Sequence, residues 1–134
     1  MLLHLIVPAL VAAAMFWNVP YLPLIDYPQH VAQIAALHDL WAGKSVWQGM
    51  LEINYATPYL AGSLPAAMLA FLFGPLIASK LVLTLSFWAF LWVFSRLLAD
   101  LKSDPDLMLL AVPGCFGLAF QFGFMTFLVA LPIA

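Results

Sequence analysis

From Met1 to Ile25 the chain carries no Asp, Glu, Lys or Arg, and three more such stretches follow. At about 1.5 Å per helical residue, a run this long exceeds the roughly 20 residues that cross a bilayer core of about 30 Å. Charged residues make up 7% of the sequence, against about a quarter in ordinary soluble domains. All ten can be named: Asp26, Asp39, Lys44, Glu52, Lys80, Arg96, Asp100, Lys102, Asp104 and Asp106. They punctuate an apolar chain, and the fold class they imply is an all-α polytopic transmembrane helix bundle.

The expected spans cover about 2–22, 57–74, 77–98 and 107–122, with room for a further span from 124. Lys80 and Arg96 can snorkel from the ends of the third. Pro113, Gly114, Gly117 and Gly123 divide the last uncharged stretch, with a turn expected near Gln121-Phe122-Gly123. Residues 127–134 end in apolar sequence with no polar flank, so the chain reads as a single membrane domain from the N-terminal part of something longer. A cleaved secretory signal is the alternative for the N-terminus, because Ala12-Ala13-Ala14 follows an apolar segment. The missing basic n-region and the apolar continuation to Leu24 favour an uncleaved span, with Trp17, Tyr21 and Tyr27 as interfacial aromatics.

The lone Cys115 allows no internal disulfide, and four scattered Lys and Arg residues make no nucleic-acid footprint. Nucleic acid is therefore excluded as a partner, and membrane lipid is the expected surrounding.

The first loop, 23–56, is longer than a helical hairpin requires. Within it Tyr27, Val31, Ile34, Leu37 and Trp41 recur at spacings of three and four, while Gln29, His30, Gln33 and Asp39 fall off that stripe. The pattern predicts an amphipathic surface helix over Tyr27–Trp41, opened by Pro28, closed by Gly43 and lying along the membrane. Trp41 and Trp47 suit the headgroup level, and Tyr55 and Tyr59 can anchor there or frame a lipid-linked substrate.

Asp26 has two readings. Asp26-x-x-Gln29 imitates a capping box, in which the carboxylate accepts a backbone N–H of the first turn. The same carboxylate could instead act as a general base, or bind a polar substrate, at the mouth of the bundle. His30 follows by one helical turn and could hold a phosphate, share a proton or, with Asp26 and His38, bind a divalent metal. No HExxH or Cys/His motif supports the metal.

Asp26 with Tyr27-Pro28-Gln29-His30, followed by Leu72-Phe73-Gly74 and Ala78-Ser79-Lys80-Leu81, resembles the front of a GT-C membrane glycosyltransferase. Gly123-Phe124 with Phe127-Leu128 is similar to aromatic-rich helices of that family, so the likeness runs through nearly the whole chain. It implies transfer of a sugar from a polyprenyl-phosphate donor to an acceptor hydroxyl at the non-cytoplasmic face of a bacterial inner (plasma) membrane. It makes Asp26 the general base, with Tyr27, Gln29 and His30 as substrate contacts. The remainder of a longer chain, or other membrane subunits, would complete the enzyme, and local positive charge or a metal would stabilise the departing phosphate.

Spans two and three, read as a hairpin, return the loop from Asp100 to Asp106 to the face of Asp26. That loop then offers either a second catalytic acid or an ordinary turn with an acidic cap. The same arrangement puts Lys44, Arg96 and Lys102 with Asp26, which by the positive-inside rule argues for a cytoplasmic first loop, against the resemblance. The competing function is a non-enzymatic membrane protein, a transporter segment or small assembly subunit, with Asp26 as a helix cap. A free carboxylate beside a cavity favours the enzyme, and one tied to backbone amides favours the cap.

Overall fold

A computed structural model describes residues 2–133, and among them every regular element is a helix. In chain order they are α1 (Leu2–Trp17), α2 (Tyr27–Trp41), α3 (Leu60–Phe73) and α4 (Pro75–Asp100). A 3-10 turn (Pro105–Leu110) then leads into α5 (Ala111–Cys115), α6 (Leu118–Phe122) and α7 (Met125–Ala130). Two stretches, Pro75–Asp100 and the broken run Pro105–Phe122, are long and apolar enough to cross a membrane, whereas α1 and α3 are apolar but shorter.

The breaks follow from residue chemistry. Gly74 alone separates α3 from α4, at φ +76°, and Pro75 then opens α4 where a missing N–H costs nothing. Gly123 takes the left-handed conformation that ends α6, at the turn expected from the sequence.

Three contacts set α1 and α4 antiparallel. Trp17 Nε1 donates to Thr84 Oγ1 at 3.2 Å near one end. Midway, Trp88 Nε1 donates to the Ala9 carbonyl at 3.2 Å. At the other end His4 Nε2 lies 2.9 Å from Asp106 Oδ1, just beyond α4. The run from Pro105 then retraces the direction of α1, stacking Phe116 and Phe120 against Phe16 at centroid distances of 5.8 and 5.9 Å. It closes on the Asp26 end, where Ile25 N–H donates to the Gln121 carbonyl at 3.1 Å.

This pairing corrects two expectations. The segment expected as the second span forms α3, whose 14 residues reach only about 21 Å. Both ends of α3 lie at the Asp26 end of the bundle: Thr126 Oγ1 donates to the Tyr59 carbonyl at 3.3 Å, and Gly74 joins the start of α4. The loop from Asp100 to Asp106 consequently sits beside His4, separated from the Asp26 end by the length of α1, about 24 Å.

The amphipathic helix is found over Tyr27–Trp41, but its stripe faces protein. Tyr27, Ile34 and Leu37 are buried against α3 and α4. α3 receives them with small residues, Gly62, Ser63, Ala66, Ala67 and Ala70, all buried, which let the backbones approach closely. A Cβ on Gly62 would stand 3.4 Å from the Cα of Thr126, so this face also seats α7.

Candidate functional site

Asp26 immediately precedes α2, and its carbonyl accepts the first intrahelical bond, from His30 N–H at 3.0 Å. Its side chain, however, makes no capping hydrogen bond. Its backbone explains this, because φ −92°, ψ 7° lies outside the extended region from which a cap side chain reaches the first-turn amides, and the amide side is crowded as well. A Cβ on Gly123 would lie 3.0 Å from Asp26 N and 3.3 Å from Asp26 Cβ, so the α6–α7 turn occupies the space a capping-box glutamine would need.

The carboxylate borders a cavity of about 390 Å³. One wall is Asp26, Gln29, His30 and Gln33, which follow the i, i+3, i+4, i+7 spacing of a single helical face. Tyr59 and the segment from Phe124 to Phe127 form the rest. The cavity thus combines a carboxylate, an imidazole, two carboxamides and aromatic rings, a set able to accept a proton, hold a polar group and cover an apolar one.

Of the expected contacts, Asp26, Gln29 and His30 meet at the cavity, and Tyr27 does not. It lies on the opposite side of α2, in line with Ile34, and is fully buried. Its hydroxyl stands 2.8 Å from Ser79 Oγ, while Ser79 donates its own proton to the Leu76 carbonyl at 2.8 Å. Tyr27 O–H also reaches the Leu76 carbonyl at 3.4 Å, so the two hydroxyls and that carbonyl form one closed network. Burial raises the phenol above its usual pKa and keeps that proton in place, against a smaller lowering by the serine bond. Tyr27 is the peg that fixes the start of α2 on α4.

His38 is also elsewhere, with Nδ1 2.9 Å from Asp39 Oδ1 and its ring 4.4 Å from that of Phe71. Among the described residues no three His, Cys, Asp or Glu side chains are grouped to hold a metal, so the trio of Asp26, His30 and His38 is not assembled. Asp26 and His30 are what the cavity itself offers a cation.

Two of the three acids at the far end are engaged. Asp104 Oδ1 accepts from Asp106 N–H at 2.9 Å as the cap of the 3-10 turn, and Asp106 meets His4.

Three features were missed in the sequence. Gln33 could have been found from its spacing to Asp26 and Gln29. Thr126 and its neighbours join the site through the return at Gly123, where the glycine signals a turn but not the element it packs against. Lys80, expected to snorkel, is instead buried at 6% exposure and donates to the Val19 carbonyl, with Trp17 beneath it at 5.9 Å. It clamps the α1–α2 connection to α4. No protein-family model, curated protein or solved structure matches the chain.

Proposed function

We propose that this chain is part of a polytopic membrane glycosyltransferase of the GT-C type, with Asp26 as the general base for transfer from a polyprenyl-phosphate-linked sugar. The observation that carries the proposal is the Asp26 carboxylate, free of any capping bond and bordering a cavity with His30 and two glutamines. A helix-start acid without backbone partners gives up about 1 kcal/mol of available capping stabilisation. Its volume of about 390 Å³ falls in the range of about 300–1,000 Å³ common for small-molecule sites.

The membrane setting is supported by the two long apolar stretches and by the outward apolar side chains of α1, among them Leu3, Ile6, Val7 and Leu10. The antiparallel pairing of α1 and α4 supports one orientation of the proposed enzyme. Arg96 and Lys102 lie toward the end that carries His4, whereas Lys44 is the exposed cation of the first loop and Lys80 is buried. By the positive-inside rule the His4 end faces the cytoplasm and Asp26 faces away from it. This reverses the vote taken from the sequence and agrees with the family's geometry.

In the proposed step the acceptor hydroxyl oxygen attacks the anomeric carbon and Asp26 takes the hydroxyl proton. The bond from that carbon to the phosphate oxygen breaks, and the lipid phosphate leaves with the electron pair. Gln29 and Gln33 orient sugar hydroxyls, and a ring N–H of His30 donates a hydrogen bond to the departing phosphate.

The test is transfer of labelled sugar from a short-chain polyprenyl-phosphate donor by membranes containing the protein. Loss of a general base lowers turnover by about 10²- to 10⁴-fold, the effect expected of Asp26→Asn. Undiminished turnover in that variant would remove Asp26 from the chemistry, and absence of transfer by the parent protein would leave the non-enzymatic alternative.

A further inference from the structure

The turn that follows α2 has an apolar, largely exposed outer surface, with Leu51 at its inner edge bordering a cavity against α2. Val46 is 86% exposed, Met50 77%, Trp47 55% and Leu51 48%, although they are consecutive or near neighbours in one ordered turn. Solvent-facing turns are normally built from Gly, Asn, Asp and Ser, so four large apolar side chains on one tip require a cover.

We infer that this tip inserts into the headgroup and acyl boundary of the bilayer and anchors the Asp26 end of the bundle to lipid. Three observations choose lipid over a protein surface. First, the turn satisfies much of its own backbone, as an entry into a low-dielectric layer demands. Gln48 N–H donates to Ser45 O, Met50 and Leu51 N–H both to Trp47 O, and Trp47 N–H to Ser45 Oγ, all within 3.2 Å. Second, the base of the turn has the amphipathic aromatic pair typical of membrane interfaces, Trp41 Nε1 donating to Tyr55 OH at 3.2 Å. Third, exposed Lys44 stands at the entry of the turn, where it complements anionic headgroups. The stripe of α2 cannot provide this anchor, because α3 and α4 already cover it. The tip takes over the role that the sequence pattern assigns to the helix.

Its consequence is positional. Tyr59, which closes the cavity beside Asp26, follows the anchored turn by a few residues, so the depth of the tip sets the height of the cavity above the lipid. The inference depends on the membrane setting and not on sugar transfer.

The test uses single cysteines at position 46, 50 or 48 in a Cys115→Ser background, each carrying an environment-sensitive fluorophore. The protein is reconstituted in vesicles of phosphatidylcholine and phosphatidylglycerol. A fourth probe replaces Leu85, which is exposed on α4. Probes at Val46 and Met50 are expected to be quenched several-fold more by a nitroxide high on the acyl chain than by aqueous iodide, and the probe at Gln48 more by iodide. Stronger iodide quenching at 46 and 50, or protection from both quenchers, overturns the inference, the second outcome by revealing a protein cover. A lipid-quenched probe at 85 confines such a failure to the tip; an iodide-quenched one removes the membrane setting as well.

Discussion

Asp26 and Asp104 occupy similar sequence contexts, each just before a proline-containing first turn, and the structure uses them differently. Asp104 accepts the N–H of Asp106 and ends as a cap on an exposed loop. Asp26 caps nothing and borders a cavity. The difference lies in the backbone and what holds it: Asp104 is extended (φ −62°, ψ 126°), as a cap requires, whereas Asp26 (φ −92°, ψ 7°) is not, with Gly123 against its amide side and Tyr27 holding the helix start on Ser79. A capping motif therefore states what an acid can do locally, and the neighbours decide whether it does.

The largest expected effect that sharpens this contrast is on turnover. Asp26→Asn lowers sugar transfer by about 10²-fold or more, while Asp104→Asn leaves it unchanged, since a cap distant from the cavity contributes no proton transfer. Equal losses in both variants would break the comparison.

Next is the wedge at Gly123. A residue with a Cβ at Gly49, which is left-handed but open, pays only the conformational cost of about 1–2 kcal/mol. Gly123→Ala pays that and a 3.0 Å approach to Asp26 N, so thermal unfolding in detergent should rank it well below Gly49→Ala in stability. Similar melting temperatures would mean that the α6–α7 turn does not press on Asp26.

The peg comes third. Tyr27→Phe removes the hydroxyl that Ser79 and the Leu76 carbonyl share and should cost about 1 kcal/mol in the same assay. A loss of binding for a soluble sugar-phosphate probe without loss of stability would instead return Tyr27 to the cavity. Smallest is the far-end pair: Asp106 is 73% exposed, so Asp106→Asn should change stability by less than about 1 kcal/mol.

Local chemistry was legible from the sequence where the residue itself imposes it. The stripe from Tyr27 to Trp41 marks α2, the Gly123 turn is read from its glycine, and the polar face of Asp26, Gln29, His30 and Gln33 is one helical spacing. What surrounds an element was not. The apolar stripe of α2 satisfies a membrane surface and a protein neighbour equally well, and only the small residues of α3 decide for protein. Pairing among charge-free helices is likewise silent, because their side chains specify burial without specifying a partner. Treating α3 as a full crossing then carried the loop from Asp100 to Asp106 to the wrong end.

The freedom of the Asp26 carboxylate is tested most directly by unfolding Asp26→Ala and Asp104→Ala side by side in detergent at neutral pH. Asp104→Ala should lose about 1 kcal/mol, the value of a helix cap, while Asp26→Ala should stay within a few tenths of the parent. A loss at Asp26 equal to that at Asp104 would mean that its carboxylate is bound to the backbone, and would contradict its assignment as a base.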